Sequence, residues 1–263
     1  MLYFKDYQQG KDREWVVFVH GAGGSSSIWY RQLRLFRKHF NVLLVDLRGH
    51  GRSKDLLEGY VKHNYTFKDV TTDLLEVITH LGIEKAHYIG VSMGTIIIRT
   101  LGEIAPQYMK SMILCGAVTR LNLRSRLLVF LGHTFKRFVP YMWLYRLFAF
   151  VIMPNPRDAS SRNLFIGEAK KLYKKEFLRW FKLTHEVNPL LKYFKEKEIA
   201  VPTLYIMGER DYMFLPPVKK IVKEHSSAIL QVVDDCGHVC NIEKPDIFNK
   251  LAIGFIQRGY TNV

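Results

Sequence analysis

The pentapeptide Gly90-Val91-Ser92-Met93-Gly94 sets one serine between two glycines, after an apolar run and before a helical pattern. His87-Tyr88-Ile89 reads as the end of a buried strand, and Thr95 to Leu101 as the start of a helix. A serine at that junction occupies a sharp strand-to-helix turn. The glycines leave room for the turn, and the helix N-terminus favours negative charge beside it. Such a serine becomes a nucleophile if a base takes its proton and an acid orients the base. Two later strand ends offer those groups. Gly208-Glu209-Arg210-Asp211 follows the apolar run 203–207, and Cys236-Gly237-His238 follows 229–233. Asp211 would hold one ring nitrogen of His238, leaving the other to take the Ser92 proton. Glu209 is the competing acid and stands nearer its strand. Ala117-Val118-Thr119, after the run 111–115, offers no carboxylate.

Acyl chemistry at a serine also needs donors for a developing oxyanion. His20-Gly21-Ala22-Gly23-Gly24 follows the run 15–19 and allows a tight turn with exposed backbone N–H groups. The N–H groups of Ala22 and Met93 are the natural pair, with His20 shaping the loop by hydrogen bonding. Each element has a plain alternative: an accidental turn at Ser92, a surface His238, an Asp211 that only closes a turn. The three together, at three strand ends in the order serine, aspartate, histidine, favour the catalytic reading. Cys236, His238 and Cys240 alternate with single residues and have no second cluster, which argues against a metal site. No metal or cofactor is expected.

These groups must be carried by a sheet. Apolar runs at 15–19, 42–45, 86–91, 111–115, 203–207 and 229–233 suit strands buried on both faces of a parallel sheet. Helical patterns near 27–38, 67–81, 94–104, 215–225 and 244–258 alternate with them, which predicts an α/β layered fold with helices on both faces. The interval from Gly116 to Thr203 is too long for an ordinary crossover. It carries helical stretches near 121–135, 141–152, 160–171 and 174–184, punctuated by Pro140, Pro154, Pro156 and Pro189. The chain thus divides into a core of 1–118 and 199–263 and an inserted helical cap of 119–198.

The 263 residues are 48% hydrophobic, enough for one sizeable core. Three cysteines make no disulfide framework and fit a reducing, cytoplasmic setting. Residues 1–10 have no apolar signal region, and no uncharged apolar run is long enough to span a membrane. The formal charge of +15 is concentrated: 119–198 carries +11 of it. No nucleic-acid motif accompanies that charge, so nucleic acid is not an expected partner. Nothing in the sequence fixes an oligomeric state.

Taken together, His20 to Gly24, Asp46-Leu47-Arg48-Gly49-His50-Gly51-Arg52-Ser53, Gly90 to Gly94, Gly208 to Asp211 and Gly237-His238 resemble the α/β-hydrolase fold family, in particular its cap-bearing, esterase-like members. The resemblance spans nearly the whole chain outside the cap. It implies a mostly parallel central sheet flanked by helices, with the cap inserted before the acid-bearing strand. It also implies Ser92 as nucleophile, His238 as base, Asp211 as acid and an oxyanion hole at Ala22 and Met93. Asp46 to Ser53 would form a structural turn, with Arg48 and His50 bonding within the core. Relatives with an aspartate nucleophile, the epoxide hydrolases and haloalkane dehalogenases, are set aside by Ser92. Thr95 departs from the pattern, where relatives often carry glycine, and is expected to tighten the turn against its neighbouring helices.

The cap sequence is rich in aromatic and aliphatic side chains, from Phe135 and Phe138 through Trp143, Tyr145, Phe148 and Phe150. They either hold the cap to the core or line an apolar pocket. Lys170, Lys171, Lys174, Lys175, Arg179 and Lys182 share a helical stretch with Phe177, Trp180 and Phe181. That stretch reads as a solvated basic face, as a peripheral contact with an anionic membrane, or as a guide for anionic substrate. Three functions follow: a carboxylesterase-like serine hydrolase acting on a small acyl compound, a carbon–carbon bond hydrolase with the same triad, or a small-ligand-binding signalling protein.

Overall fold

The computed structural model describes residues 1–54, 65–119, 139–172 and 174–259. Among them, the apolar runs form strands β2 (Trp15–Val19), β3 (Asn41–Val45), β4 (Ala86–Val91), β5 (Met109–Cys115), β6 (Thr203–Gly208) and β7 (Ala228–Val233). A short polar strand, β1 (Phe4–Tyr7), joins them at the edge, in the order β1-β3-β2-β4-β5-β6-β7. β1 runs antiparallel to β3 and all other pairings are parallel. β1 was not anticipated, because Phe4-Lys5-Asp6-Tyr7 carries no buried run. β7 was expected to be covered on both faces, yet most of its residues are half-buried or exposed, because it closes the other edge of the sheet.

Strand residues alternate between two cores, as period-two geometry requires. Val16, Phe18, Val42, Leu44, Ile113 and Ile206 face α1 (Tyr30–Phe36) and α9 (Pro245–Gln257), through Phe36, Phe248 and Phe255. Val17, Val19, Leu43, Val45, Leu114 and Met207 face α2 (Phe67–His80), α3 (Met93–Ile104) and α7 (Leu215–Glu224). α2 begins at a capping box: the Thr66 hydroxyl accepts the Asp69 N–H, and the Asp69 carboxylate accepts the Thr66 N–H. α3 is buried from Gly94 to Gly102, so the helix behind Ser92 is held on every side.

Between β5 and β6 lie α4 (Tyr141–Ile152), α5 (Ala159–Ala169) and α6 (Lys174–Glu196). Leu144, Tyr145, Ala169, Phe177 and Phe181 make a separate apolar cluster, while α6 also adds Trp180, Leu183, Leu191 and Phe194 to the core of the sheet. The helix expected near 174–184 instead continues through Pro189 to Glu196. Its buried positions recur on both sides of the proline, and that packing outweighs one missing backbone hydrogen bond. The helix expected near 121–135, with Phe135, lies outside the described residues, as does Phe138. A short α8 (Cys240–Glu243) follows the β7 loop.

The loops after β6 and β7 are pressed together at Gly208. A side chain there would collide with the carbonyl oxygens of Gly237 and Cys236, both backbone atoms. Gly208→Ala is therefore expected to destabilise the fold by about 1–3 kcal/mol. Gly167→Ala, where nothing lies within 4 Å, should be neutral or stabilising in urea denaturation.

Candidate active site

Ser92 sits at the end of β4 with φ 53° and ψ −119°, a left-handed backbone region that L side chains rarely occupy. Holding a non-glycine residue in such a region costs on the order of 1–3 kcal/mol. The surroundings over-determine it. The Ser92 N–H donates to Cys115 O at 3.0 Å, and Ser92 O accepts from the Thr95 N–H at 2.9 Å. The Thr95 hydroxyl donates to the same oxygen at 2.5 Å and accepts the Val118 N–H at 3.3 Å. Thr95 thus ties the turn to the exit of β5, the tightening expected of it, though through a loop and not a helix. Gly94 has no alternative: a Cβ would strike the carbonyl oxygens of Val19 and His20 on the neighbouring strand end.

The three residues singled out for proton transfer come together. Ser92 Oγ lies 3.1 Å from His238 Nε2, and His238 Nδ1 lies 2.7 Å from Asp211 Oδ2. The other Asp211 oxygen accepts the Phe214 N–H at 3.2 Å. With Nδ1–H donating to the carboxylate, Nε2 is the free base, aimed at the hydroxyl. Asp211 and His238 are both buried. Glu209 points elsewhere and accepts the Asp235 N–H at 3.0 Å.

The first loop is folded by two histidines. His20 Nδ1 donates to Gly21 O at 2.8 Å and its Nε2 accepts the Leu47 N–H at 2.9 Å. His50 Nδ1 donates to Arg48 O at 3.0 Å and its Nε2 accepts the Gly23 N–H at 2.9 Å. Gly24 N–H turns back to Gly21 O. Among the described residues no acceptor is found for the N–H groups of Ala22 or Met93, the two expected to receive an oxyanion. Asp46 latches the following turn, accepting the Ser26 N–H at 2.7 Å and the Arg52 N–H at 2.8 Å. Arg48 pairs in bidentate fashion with Asp73, at 2.6 Å for both bonds. Both residues expected to bond within the core therefore do so.

Three supports escaped the sequence reading. The Tyr145 hydroxyl on α4 donates to Ala22 O at 2.6 Å, and burial raises its pKa well above the usual phenol value. Arg210, beside Asp211, binds Asp158 at 2.7 Å and Glu243 at 3.3 Å and also pairs with Asp235. Glu243 accepts the Gly237 N–H at 2.7 Å, so one guanidinium joins α5's entry to both loops carrying Asp211 and His238. Such bonds span dozens of residues and leave no periodic trace. Cys115, Cys236 and Cys240 are buried free thiols, and hydrogen bonding with the first two, together with burial, pushes the Cys240 thiol up.

Ser92 opens into an apolar cavity of about 200 Å³. Ile96, Phe148, Phe165, Trp180, Phe181 and Phe214 are among its walls, and no charged side chain of the described residues lines it. Phe177, Trp180 and Phe181 turn inward here, while Lys170, Lys174 and Lys182 face solvent. Trp143, Leu147 and Phe150 neither line the cavity nor pack on the core; they are exposed along one side of α4.

The family model for the α/β-hydrolase fold matches residues 14–245. The chain belongs to the α/β-hydrolase fold family. It is 24% identical to the 3-oxoadipate enol-lactonase 1 of Acinetobacter baylyi, over 92% of this chain and 88% of that protein. It is 25% identical to the RutD protein of Pantoea ananatis, assigned as a carbamate hydrolase, over 98% of this chain and 94% of that one. The enol-lactonase structure from Burkholderia xenovorans superposes with a TM-score of 0.79 at 21% identity, covering 97% of this chain and 96% of the other. Family and relatives together support a hydrolase. Among the described residues, no helix is long and apolar enough to cross a membrane.

The loop histidines make acid stability a test of this α/β-hydrolase site. Burial and the neighbouring His20 hold His50 down at about 3, and burial also lowers His20. His50 is neutral when folded, whereas unfolded histidine takes up a proton below pH 6.5. Its contribution is whole above that pH and is lost as pH falls, by about 1.4 kcal/mol per pH unit. His50→Gln keeps an acceptor for Gly23. From pH 7 to pH 5, it should lose about 2 kcal/mol less stability than the wild type, measured from urea midpoints.

Proposed function

We propose that this protein is a serine hydrolase of carboxylic esters with apolar acyl groups. The observation that carries the reading is the hydrogen-bonded line from Ser92 through His238 to Asp211, at a cavity that no charged side chain of the described residues lines. Ser92 Oγ attacks the ester carbonyl as His238 Nε2 takes its proton. The carbonyl oxygen becomes an oxyanion held by the N–H groups of Ala22 and Met93. The ester C–O bond then breaks, His238 returns the proton to the leaving oxygen, and an acyl-serine remains. Water, deprotonated by His238, attacks that acyl group, and the proton goes back to Ser92 Oγ as the carboxylic acid departs. The Asp211 carboxylate steadies the imidazolium in each half-reaction.

Residues 119–198 act as a cap in this proposal, with α4 to α6 roofing the acyl pocket. The cavity walls favour ester hydrolysis over carbon–carbon cleavage, which calls for an anion-binding pocket. Among the described residues, Arg157 pairs with Asp235, Arg179 with Glu176, and Arg162 with the Met153 carbonyl, all away from Ser92. That the relatives include an enol-lactonase, whose substrate is a cyclic ester, supports the same class.

A series of methyl esters tests the reading. A cavity of about 200 Å³ has room for on the order of fifteen water-sized groups. kcat/KM should rise about three- to fourfold per added methylene from C2 until the pocket fills, near about C10 to C12. S92A and H238A should each lower kcat by about 10⁵ to 10⁶ and D211N by about 10⁴. Flat rates along the series, or full activity in S92A, would overturn the proposal.

A further inference from the structure

Ser92 borders a second, smaller cavity, of about 50 Å³. Its walls include Gly24, Ile28, Val239 and Ile242 from the core, and Ser161 and Glu168 from α5. We propose that this cavity is the leaving-group subsite, that it admits a short neutral alcohol carrying a further hydroxyl, and that Ser161 is the residue that recognises that hydroxyl. The inference rests on the ester-hydrolase reading and adds to it the chemical class of the alcohol.

Three observations carry it. The first is the position of the base. Among the described residues, His238 lines the small cavity and not the large one, whereas Met93 lines the large one only. The Phe214 ring, on the wall of the large pocket, stands 5.1 Å from the imidazole and screens it from that side. Collapse of the tetrahedral intermediate breaks the bond to the leaving oxygen while His238 Nε2 hands that oxygen its proton. The leaving group must therefore lie within reach of Nε2, and among the described residues the small cavity is the one that His238 lines.

Size is the second. By the room one water needs, this cavity holds about three or four non-hydrogen atoms. Methanol, ethanol and ethanediol fit, whereas a six-membered ring does not.

Polarity is the third. Ser161 is 3% exposed, and among the described residues its Oγ has no hydrogen-bond partner. A buried hydroxyl left unpaired is costly, so a ligand hydroxyl that pairs with it gains correspondingly. Glu168, on the same wall, already accepts from the Ser25 hydroxyl at 3.0 Å and from Lys171 at 2.5 Å. Its carboxylate repels an anionic leaving group, which leaves a short neutral diol as the matching alcohol.

The test uses decanoate esters of alcohols that differ in one respect each. 2-Hydroxyethyl and propyl esters have nearly the same shape and pass through the same acyl-enzyme, so the change in their kcat/KM ratio between wild type and S161A reports recognition of the added hydroxyl. That ratio also cancels any change in the folded fraction of a variant. The ratio should be about five- to tenfold in the wild type and fall to about one in S161A. Cyclohexyl decanoate should be hydrolysed at least about tenfold more slowly than methyl decanoate. An unchanged ratio in S161A, or a cyclohexyl ester hydrolysed as fast as the methyl ester, would overturn the subsite while leaving the acyl chemistry standing. Methyl decanoate turnover that is absent, or that survives S92A, would instead remove the underlying reading.

Discussion

The backbone of Ser92 is forced into a left-handed turn, and the rest of the site is arranged around that constraint. The turn exists because β4 delivers the chain to the head of a helix that is buried on all sides. Gly94 is the contact that permits it, lying against the carbonyls of Val19 and His20 where no side chain fits. That close approach also places Met93 N–H next to the Ala22 loop. The strained residue and the two unclaimed donors are therefore consequences of one packing event. Hydrogen bonds from Ser92 N–H to β5 and from Thr95 to Ser92 O then keep the serine from relaxing out of the turn.

The base and acid reach Ser92 because two edge-ward strands end beside it. Their loops lock together through Gly208 and through Arg210, which also holds Asp158 at the start of α5. On the opposite side Tyr145 joins α4 to the Ala22 carbonyl. Helices α4 and α5 are thus fastened at the Ala22 loop and at the Asp211 loop. Between those fastenings lie the two cavities, one wide and apolar, one narrow with an unpaired hydroxyl.

Much of this was legible in the sequence because the decisive features are local. Buried parallel strands announce themselves as apolar runs, and the glycines around Ser92, Ala22 and Asp211 mark places where the backbone has no alternative. Chain order then assigned serine, aspartate and histidine to three strand ends. What escaped were relations between distant segments: Tyr145 with Ala22, Arg210 with Asp158 and Glu243, and Ser161 on the same cavity wall as His238. Each involves a common residue type in an ordinary helical or loop context, and only the folded arrangement makes it special. Pro189 misled for a related reason. A proline ends an isolated helix, but α6 is held by buried side chains on both sides of it. β1 and β7 were misjudged as edges, where burial no longer dictates composition.

The central claim is that Ser92 is a nucleophile activated by His238, and irreversible phosphonylation reads that chemistry most directly. A long-chain alkyl fluorophosphonate carries a small leaving group and an apolar tail suited to the 200 Å³ cavity. Intact-protein mass spectrometry should show one adduct per chain, peptide mapping should locate it on Ser92, and S92A and H238A should remain unmodified over the same time. Absence of an adduct in the wild type, or an adduct that persists in S92A, would contradict the account.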